Sequence, residues 1–236
     1  MASKTYFRPT TKMSLASASR TKRKNHLHSV DQRQEKLDAK LRSQNLSRGR
    51  FFPRLFTVAD LAKLPSDLPS GPVVYELDNG RLVVMPPPGD IHGAVESNIG
   101  AELKIQGERR GLGKARSGGV GVILWKNPDR VVGPDAVFIA KESLPIRTSK
   151  EGYLETIPEL VVEVRSKNDT GPEISKKVQD YFKAGVRVVW VSDPGKRTVT
   201  IFRPGQKAKV LRENDVLTIP DIIPGFELPV RNVFQV

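Results

Sequence analysis

Hydrophobic positions recur with two different periods along the chain, and together they predict a domain that mixes strands and helices. Short, mostly β-branched runs are typical of strands, whereas apolar residues at helical spacing are typical of one helix face. The strand-type runs span residues 73–77, 81–85, 120–125, 131–140, 160–164, 186–192 and 197–204. The helix-type patterns span residues 57–64, 91–110 and 173–185. This order predicts an α/β or mixed α+β fold of about 180 residues, ending in a short strand and a packed extended segment.

Turn and cap residues mark several boundaries of these elements. Asn79-Gly80 separates two strand-type runs, and this pair favours the positive φ angles of a tight hairpin. Thr57 is placed to cap a helix start, and Gly185 has the place of a helix C-cap. Pro134 interrupts the longest strand-type run and predicts an irregular or edge position there.

A glutamate stands in the most apolar of the strand-type runs. The run LVVEV, residues 160–164, is typical of a strand buried on both faces, and Glu163 is its single charged residue. An isolated charge is expensive to bury. We therefore expect a cation or a hydrogen-bond donor to meet Glu163 at the strand end.

Asp135 and Glu163 lie in consecutive strand-type runs and form a candidate pair of acids. Carboxylates that project from adjacent strands to one place repel each other, so one takes up a proton unless a divalent cation joins them. Oxygen ligands suit Mg²⁺ or Mn²⁺. Four basic residues follow closely: Arg165, Lys167, Lys176 and Lys177. Such a centre suits phosphodiester cleavage, because a metal polarises a phosphoryl oxygen and activates water. Two structural alternatives stay open, an ion pair for Glu163 and a turn or cap for Asp135.

Composition and motifs exclude several other chemistries. The chain has no cysteine, which excludes disulfides, thiolate metal sites and cysteine nucleophiles and fits a cytoplasmic protein. Its three histidines, two of them near the N-terminus, do not provide a histidine-rich metal site. The segment GERRGLGKAR, residues 107–116, lacks the spacing and the hydroxyl residue of a phosphate-binding loop. No apolar run has the length of a membrane span, so an integral membrane protein is not expected.

The net charge of +13 is concentrated near the N-terminus. Residues 1–50 contain 13 of the 39 Lys and Arg but only three acids, so most of the excess lies there. The composition predicts a disordered basic arm, with a short polar helix at residues 31–44. Such an arm could follow a phosphate backbone, and an organelle transit peptide is the other interpretation. We expect residues 51–236 to form the folded domain.

Several motifs in this order resemble one known family. They are YELDNGRLVVMPPP (75–88), His92, GPDAVFI (133–139), PELVVEVRS (158–166), KVQDYFKAGVRVVWVSDPGKRTVTIFRP (177–204) and DVLTIPDIIPGFELPV (215–230). Their order and spacing resemble the Uma-type putative restriction endonuclease family of the PD-(D/E)XK nuclease superfamily. The resemblance runs from about Thr57 to the C-terminus and leaves only the basic arm uncovered.

The resemblance implies a restriction-endonuclease-like core, a mixed sheet flanked by helices, that cleaves DNA with Mg²⁺ or Mn²⁺. Asp135 and Glu163 match the acids that would hold the metal, with the carbonyl of Val164 as a further ligand. Glu76 matches an acid that would support the metal, and His92 matches the histidine that opens the following helix. Lys177 matches a helix lysine that replaces the superfamily lysine two positions beyond the glutamate.

The chain departs from the family pattern at three positions. Arg165 occupies the superfamily lysine position, Lys167 stands where the family has proline, and Glu173 stands where it has aspartate. A guanidinium binds phosphate but does not act as a base at neutral pH. We expect Arg165, Lys167 and Lys176 to contact nucleic acid.

Three functions remain open from the sequence. The first is a metal-dependent DNA endonuclease that works as a monomer or a homodimer, and the second is a non-catalytic nucleic-acid-binding module that keeps the nuclease fold. The third is a structural protein whose acids form ion pairs.

Overall fold

The computed structural model describes residues 5–6, 54–167 and 169–236. Apart from Thr5–Tyr6, the predicted basic arm and its polar helix at residues 31–44 lie outside the described residues, as does the expected start of the domain at Phe51. Among the described helices, none is both long enough and apolar enough to cross a membrane.

Strands outnumber helices in the described residues. The strands are β1 (Thr5–Tyr6), β2 (Asp67–Leu68), β3 (Gly71–Pro72), β4 (Val74–Asp78), β5 (Arg81–Met85), β6 (Gly113–Ser117), β7 (Val122–Trp125), β8 (Arg130–Val132), β9 (Ala136–Ala140), β10 (Leu160–Val164), β11 (Val188–Asp193), β12 (Thr198–Phe202), β13 (Lys209–Leu211), β14 (Val216–Thr218) and β15 (Glu227–Pro229). The helices are α1 (Val58–Leu61), α2 (Asp90–Leu103), α3 (Gly171–Ala184) and α4 (Val230–Val233), with a π-helical turn at Lys104–Glu108 and a 3₁₀ turn at Lys141–Ser143.

The main sheet has six strands in the order β13-β12-β11-β10-β9-β6. Strands β10 and β11 are parallel, and all other neighbours in this sheet are antiparallel. Helix α2 covers one face, where Ile99 packs with Phe138 and Val162. Helix α3 covers the other face, where Val178 packs with Val161. This confirms the predicted mixed sheet flanked by helices, and burial on both faces explains the uninterrupted apolar run of β10.

A second sheet has five strands in the order β1-β5-β4-β8-β7. Strands β4 and β5 form the predicted hairpin, and its turn residues Asn79 and Gly80 have φ angles of 51° and 78°. In this hairpin Glu76 pairs with Val83. The sheet has a small core of its own against α1, around Leu77 and Val131.

The prediction of one strand at residues 131–140 is wrong. Strand β8 ends at Val132 in the second sheet, and β9 begins at Ala136 in the main sheet. The chain crosses between the sheets at Gly133-Pro134-Asp135, where proline has no N–H group to donate to a strand ladder. Asp135 therefore lies at the junction of the two sheets rather than inside a strand.

Other elements also differ from the sequence predictions. The helix predicted at residues 91–110 is α-helical only from Asp90 to Leu103 and continues as the π-helical turn. Strand β6 was not predicted, because its sequence GKARS carries no apolar alternation. Helix α3 begins two residues before the predicted start and ends at the predicted cap, Gly185, whose φ angle is 106°.

Gly107, in the π-helical turn, lies against the aromatic ring of Phe138. A Cβ atom at this position would clash with that ring, whereas a Cβ at Gly93 of α2 would meet nothing within 4 Å. We therefore expect Gly107→Ala to destabilise the fold by about 1–3 kcal/mol through overpacking. The matched Gly93→Ala should stabilise it by up to about 1 kcal/mol, because alanine favours a helix. Urea denaturation measures the free energy of unfolding of both variants. An equal change in the two would contradict the packing of Gly107 against Phe138.

Candidate active site

Glu163 and Asp135 lie next to each other at the ends of two paired strands. Val162 of β10 pairs with Ala136 of β9, and the backbone N–H of Asp135 donates to the carbonyl of Val162 at 3.1 Å. One step further along this antiparallel register, Asp135 comes opposite Glu163. The two acids that the sequence placed in consecutive strands therefore meet in space.

Lys177 is the direct partner of the buried Glu163. Its Nζ lies 3.0 Å from both carboxylate oxygens of Glu163 and 3.1 Å from Oε1 of Glu76. The three side chains belong to three elements, α3, β10 and β4, and each residue is more than nine-tenths buried. One ammonium thus bridges two of the acids that the sequence assigned to the metal.

Tyr181 is a second partner of Glu163. It lies one turn after Lys177 on α3, and its hydroxyl donates a short hydrogen bond to Oε1 of Glu163. Burial and the charge of Glu163 raise the pKa of Tyr181 well above its usual value, which keeps the hydroxyl protonated as a donor. Sequence analysis did not single out Tyr181. Its i+4 spacing from Lys177 was the available signal that it faces the same site.

Glu76 is also held by Gly133 and Arg130. The backbone N–H of Gly133 donates to Oε1 of Glu76 at 2.9 Å, and Nη1 of Arg130 lies 3.9 Å from Oε2. Arg130 is itself buried, and its Nε donates to Asp180 of α3 at 2.9 Å. Sequence analysis did not single out Arg130, which lies just before the strand-type run at residues 131–140.

Asp135 is fixed by both of its carboxylate oxygens. Oδ2 accepts from the backbone N–H of Val164 at 2.6 Å, and Oδ1 lies 2.8 Å from Nε2 of His92. His92 is in the first turn of α2, on the other side of the main sheet from α3. The site therefore draws its residues from helices on both faces of this sheet.

The described carboxylates of this site outnumber its lysine, and the pKa values reflect this imbalance. Burial and the charges of Asp135 and Glu76 raise the pKa of Glu163, although Lys177 opposes the rise. Burial also acts to raise the pKa of Glu76, but Lys177 and Arg130 outweigh it and the pKa is lowered. For Lys177, burial is outweighed by the two glutamates, so its pKa is raised and it stays charged at neutral pH.

The opposite shifts of the two glutamates show that Lys177 and Arg130 compensate Glu76 more fully than Lys177 compensates Glu163. A raised pKa at Glu163 and a raised pKa at Lys177 conflict if the two form a simple pair. The two raised pKa values are consistent with each other because two carboxylates share Lys177 and Asp135 lies nearby. A divalent cation beside Asp135 and Glu163 would offset the remaining negative charge, and carboxylate oxygens suit Mg²⁺. The donor set therefore fits the metal that the resemblance implies.

Glu96 is a further acid that the sequence did not single out. It lies one turn after His92 on α2 and accepts a hydrogen bond from the backbone N–H of Gly118. Ligand atoms of His92, Glu96 and Asp135 all lie within 4.8 Å of one another. Burial and the charge of Asp135 raise the pKa of Glu96. Burial acts to lower the pKa of His92, but the hydrogen bond and charge of Asp135 outweigh it and raise that pKa.

The three predicted nucleic-acid contacts occupy different places. Lys176 is at the rim beside Glu76, where it pairs with Asp78 at 2.7 Å. Lys167 is exposed on the segment after β10. Arg165 is not among the contacts of Glu163: its guanidinium donates to Asp193 at 3.0 Å and to the carbonyl of Asp169 at 2.7 Å.

Two cavities lie near these residues. One of about 560 Å³ extends from the first turns of α3 over β11, β12 and β13, and Arg165 is part of its wall. The other, of about 20 Å³, is bordered by Glu76, Lys176 and Lys177 and has room for about one water molecule. The larger cavity does not contain Asp135 and Glu163. The candidate site is therefore identified by its acidic and basic side chains and not by the size of a cavity.

The mixed sheet with helices on both faces makes the fold restriction-endonuclease-like. The sequence model of the Uma2 family, described as "putative restriction endonuclease", matches residues 58–231. The chain belongs to this family, which confirms the resemblance found in the sequence.

A solved structure supports the same fold. It is the crystal structure of a "putative nuclease belonging to DUF820" from Anabaena variabilis ATCC 29413, with a TM-score of 0.61 and 18% sequence identity. The match covers 76% of this chain and 97% of that chain. At this identity the likeness concerns the fold. No curated protein matches the chain.

Proposed function

We propose that this protein is a metal-dependent endonuclease that hydrolyses phosphodiester bonds of DNA. The observation that carries this proposal is the meeting of Asp135 and Glu163 at the sheet junction, with more negative charge than Lys177 offsets. Membership of a family described as nucleases agrees with it. We further propose a cytoplasmic location, because the chain contains no cysteine.

Asp135 and Glu163 would hold the metal, with Glu76 supporting it and Mg²⁺ or Mn²⁺ as the ion. When bound, such an ion polarises a phosphoryl oxygen and lowers the pKa of a coordinated water. The backbone N–H of Val164 and the ring of His92 hold the Asp135 carboxylate in place. The hydroxyl of Tyr181 does the same for Glu163. These contacts make His92 and Tyr181 positioning residues.

Lys177 acts through its charge rather than as a base. Because its pKa is raised, the ammonium group stays protonated at neutral pH and cannot take a proton from water. It can orient an attacking water and stabilise the negative charge that develops on the phosphoryl group. Its buried contacts with Glu163 and Glu76 fix it for that task.

Basic residues around the site would bind the DNA backbone. Lys176 at the rim, Lys167 on the exposed segment and Arg165 in the wall of the larger cavity are the proposed phosphate contacts. The positive charge of residues 1–50 would add affinity that falls with salt. Two copies of the site can cut both strands of a duplex in one binding event, so we propose a homodimer for double-strand breaks.

A second candidate function is a DNA-binding module without turnover. Two observations favour it: Lys177 and Tyr181 already contact Glu163, and Arg165 stands in the superfamily lysine position. The two functions differ in what happens to bound DNA. A labelled duplex is incubated with the full chain in Mg²⁺ or EDTA, and anisotropy and product length are measured on the same samples. Shorter products only with Mg²⁺ support the nuclease, whereas salt-sensitive binding with intact DNA in both supports the binding module.

A further inference from the structure

The larger cavity, of about 560 Å³, is not lined by Asp135 or Glu163 and has no part in the proposed metal centre. It lies over β11, β12 and β13, beside the first turns of α3. We propose that this cavity is a subsite for one unpaired nucleotide of the DNA strand, with the base on its apolar wall and a phosphate at its cationic side chains. The inference deepens the proposed function and rests on it for the identity of the strand as DNA.

The size and the open side of the cavity suit an unpaired base. Pockets that bind small ligands have volumes of about 300–1,000 Å³. The cavity is accessible at the edge strand β13, where the side chain of Val210 is 52% exposed. A base inside a duplex is stacked on both faces and has to leave the stack before it can enter such a cavity.

The apolar wall consists of side chains from α3 and from two neighbouring strands. Phe202 of β12 is half-buried, Val210 of β13 is half-exposed, and Ile174 of α3 lies at their side of the helix. Bases of any sequence stack on such partly exposed apolar and aromatic surfaces. Thr200 pairs with Val210 and brings a hydroxyl group to the same wall, where it can bond to a base edge.

The charged residues of the cavity favour an anionic ligand. Among the described residues that line it, Arg165, Lys196 and Arg212 are basic and Asp193 is acidic. Asp193 is shared, because its Oδ2 lies 3.0 Å from Nη1 of Arg165 and 3.6 Å from Nζ of Lys196. One carboxylate therefore offsets one of three positive charges, and the excess suits a phosphate group. Cations beside an apolar wall match the two parts of a nucleotide.

The cavity lies close enough to Glu163 for one strand to reach both places. Arg165 continues the ladder of β10, since its backbone N–H donates to the carbonyl of Ser192 at 2.8 Å. Side chains two residues apart on a strand share a face and are about 7 Å apart. Successive nucleotides of one strand lie about 3.4 Å apart along a duplex. The cavity is thus about two nucleotides from the proposed metal centre, which points to a substrate with an unpaired segment beside the cut.

Fluorescence anisotropy in EDTA, with a labelled single-stranded oligonucleotide and the blunt duplex of the same sequence, tests the subsite without cleavage. We expect Val210→Asp in the full chain to bind the single strand at least about fivefold more weakly than Val216→Asp, the loss of one stacked base. Both changes add one negative charge at valines of similar exposure, 52% and 46%, but Val216 belongs to the separate β14-β15 sheet. The two variants should bind the duplex alike.

A second matched pair protects the test if Val210→Asp does not fold. Arg212→Gln and Lys209→Gln each remove one positive charge at the β13 edge. Among these two residues, Arg212 lines the cavity, whereas Lys209 pairs with Ile201 on the other face of the sheet. We expect Arg212→Gln to weaken binding of the single strand more than binding of the duplex, and Lys209→Gln to change both equally.

The outcomes separate this subsite from the nuclease proposal. If the variants of each pair, folded by circular dichroism, bind the single strand equally, the subsite is refuted even where plasmid is cleaved. If the single strand is lost selectively while no DNA is ever cleaved, the subsite stands and the nuclease proposal fails. If free deoxyadenosine monophosphate binds the wild type but not Val210→Asp, and both bind the single strand equally, the cavity takes a free nucleotide and the inference is wrong.

Discussion

Replacing Lys177 by methionine should lower the free energy of unfolding at pH 7 by about 3–5 kcal/mol. The substitution keeps the length of the side chain but removes the ammonium group that Glu163 and Glu76 share. Both carboxylates would remain buried, and among the described residues Glu163 would keep the hydroxyl of Tyr181 as its one side-chain donor. Breaking a buried ion pair from one side is costly because a charge is left without compensation.

Lys176→Met is the matched control for this substitution. Lys176 is the preceding residue of α3, but it is half exposed and pairs with Asp78 and Asp180 at the surface. Exposed ion pairs contribute about 1 kcal/mol or less, so this variant should be nearly as stable as the wild type. Urea denaturation followed by circular dichroism measures both variants. Equal stability of the two would show that Lys177 does not compensate the buried acids.

The loss of stability in Lys177→Met should depend on pH. Burial and neighbouring carboxylates already raise the pKa of Glu163 above the usual 4.5, and Lys177 opposes that rise. Without Lys177 the folded-state pKa rises further. A carboxyl group with a raised folded-state pKa favours folding while it is protonated and opposes it as the pH rises through that pKa. The difference from the wild type should therefore be largest at neutral pH and shrink as the pH falls towards 4.5.

Replacing Glu163 by glutamine should reduce DNA cleavage on the order of 10³-fold. Glutamine keeps the shape of the side chain and an oxygen that accepts from Tyr181, but it removes the negative charge that would hold the metal with Asp135. The variant should still bind DNA, because the proposed phosphate contacts are separate residues. Single-turnover cleavage and anisotropy of the same labelled duplex measure the two properties.

Glu142→Gln is the control for the removal of one carboxylate. Glu142 is exposed in the 3₁₀ turn that follows β9, at the end of that strand away from Asp135. We expect wild-type cleavage from this variant. Cleavage by Glu163→Gln at the wild-type rate would remove Glu163 from the metal site and leave it as a structural partner of Lys177. A thermal unfolding curve for each variant separates loss of chemistry from loss of fold.

The sequence was most informative where the signal is local. Asn79-Gly80 predicted the hairpin because two adjacent residues determine the turn. The apolar run around Glu163 predicted a central strand because burial on both faces leaves no polar alternation. Asp135 and Glu163 were expected to be neighbours because their runs follow each other along the chain, and β9 and β10 do pair.

Contacts between segments that are far apart along the chain could not be predicted from the sequence. Pro134 indicated an irregularity but not that the chain changes sheets there, because a change of sheet depends on partners far away in the chain. Arg130 reaches Glu76 and Asp180 only after β4, β8 and α3 have assembled. Glu96 lies on a face of α2 that comes close to Asp135 only after that same junction has formed.

The partner of Glu163 shows how the two open interpretations combine. The sequence left an ion pair and a metal site as alternatives. In the structure Lys177 and Tyr181 contact Glu163 directly, yet burial and the nearby charges of Asp135 and Glu76 keep its pKa raised. Lys177 therefore stabilises the fold but offsets only part of the negative charge of the carboxylates. A divalent metal would offset the rest.

Cleavage of a supercoiled plasmid by the wild type and by Asp135→Asn, in Mg²⁺, Mn²⁺ or EDTA, tests the central claim most directly. Asparagine keeps an oxygen to accept from the N–H of Val164, so the junction stays in place while the charge is lost. Asp67→Asn, at an exposed residue, is the control. The account predicts nicked or linear plasmid with either metal for the wild type and the control, and none in EDTA or with Asp135→Asn. Intact plasmid with the wild type in both metals, or wild-type cleavage by Asp135→Asn, would contradict it.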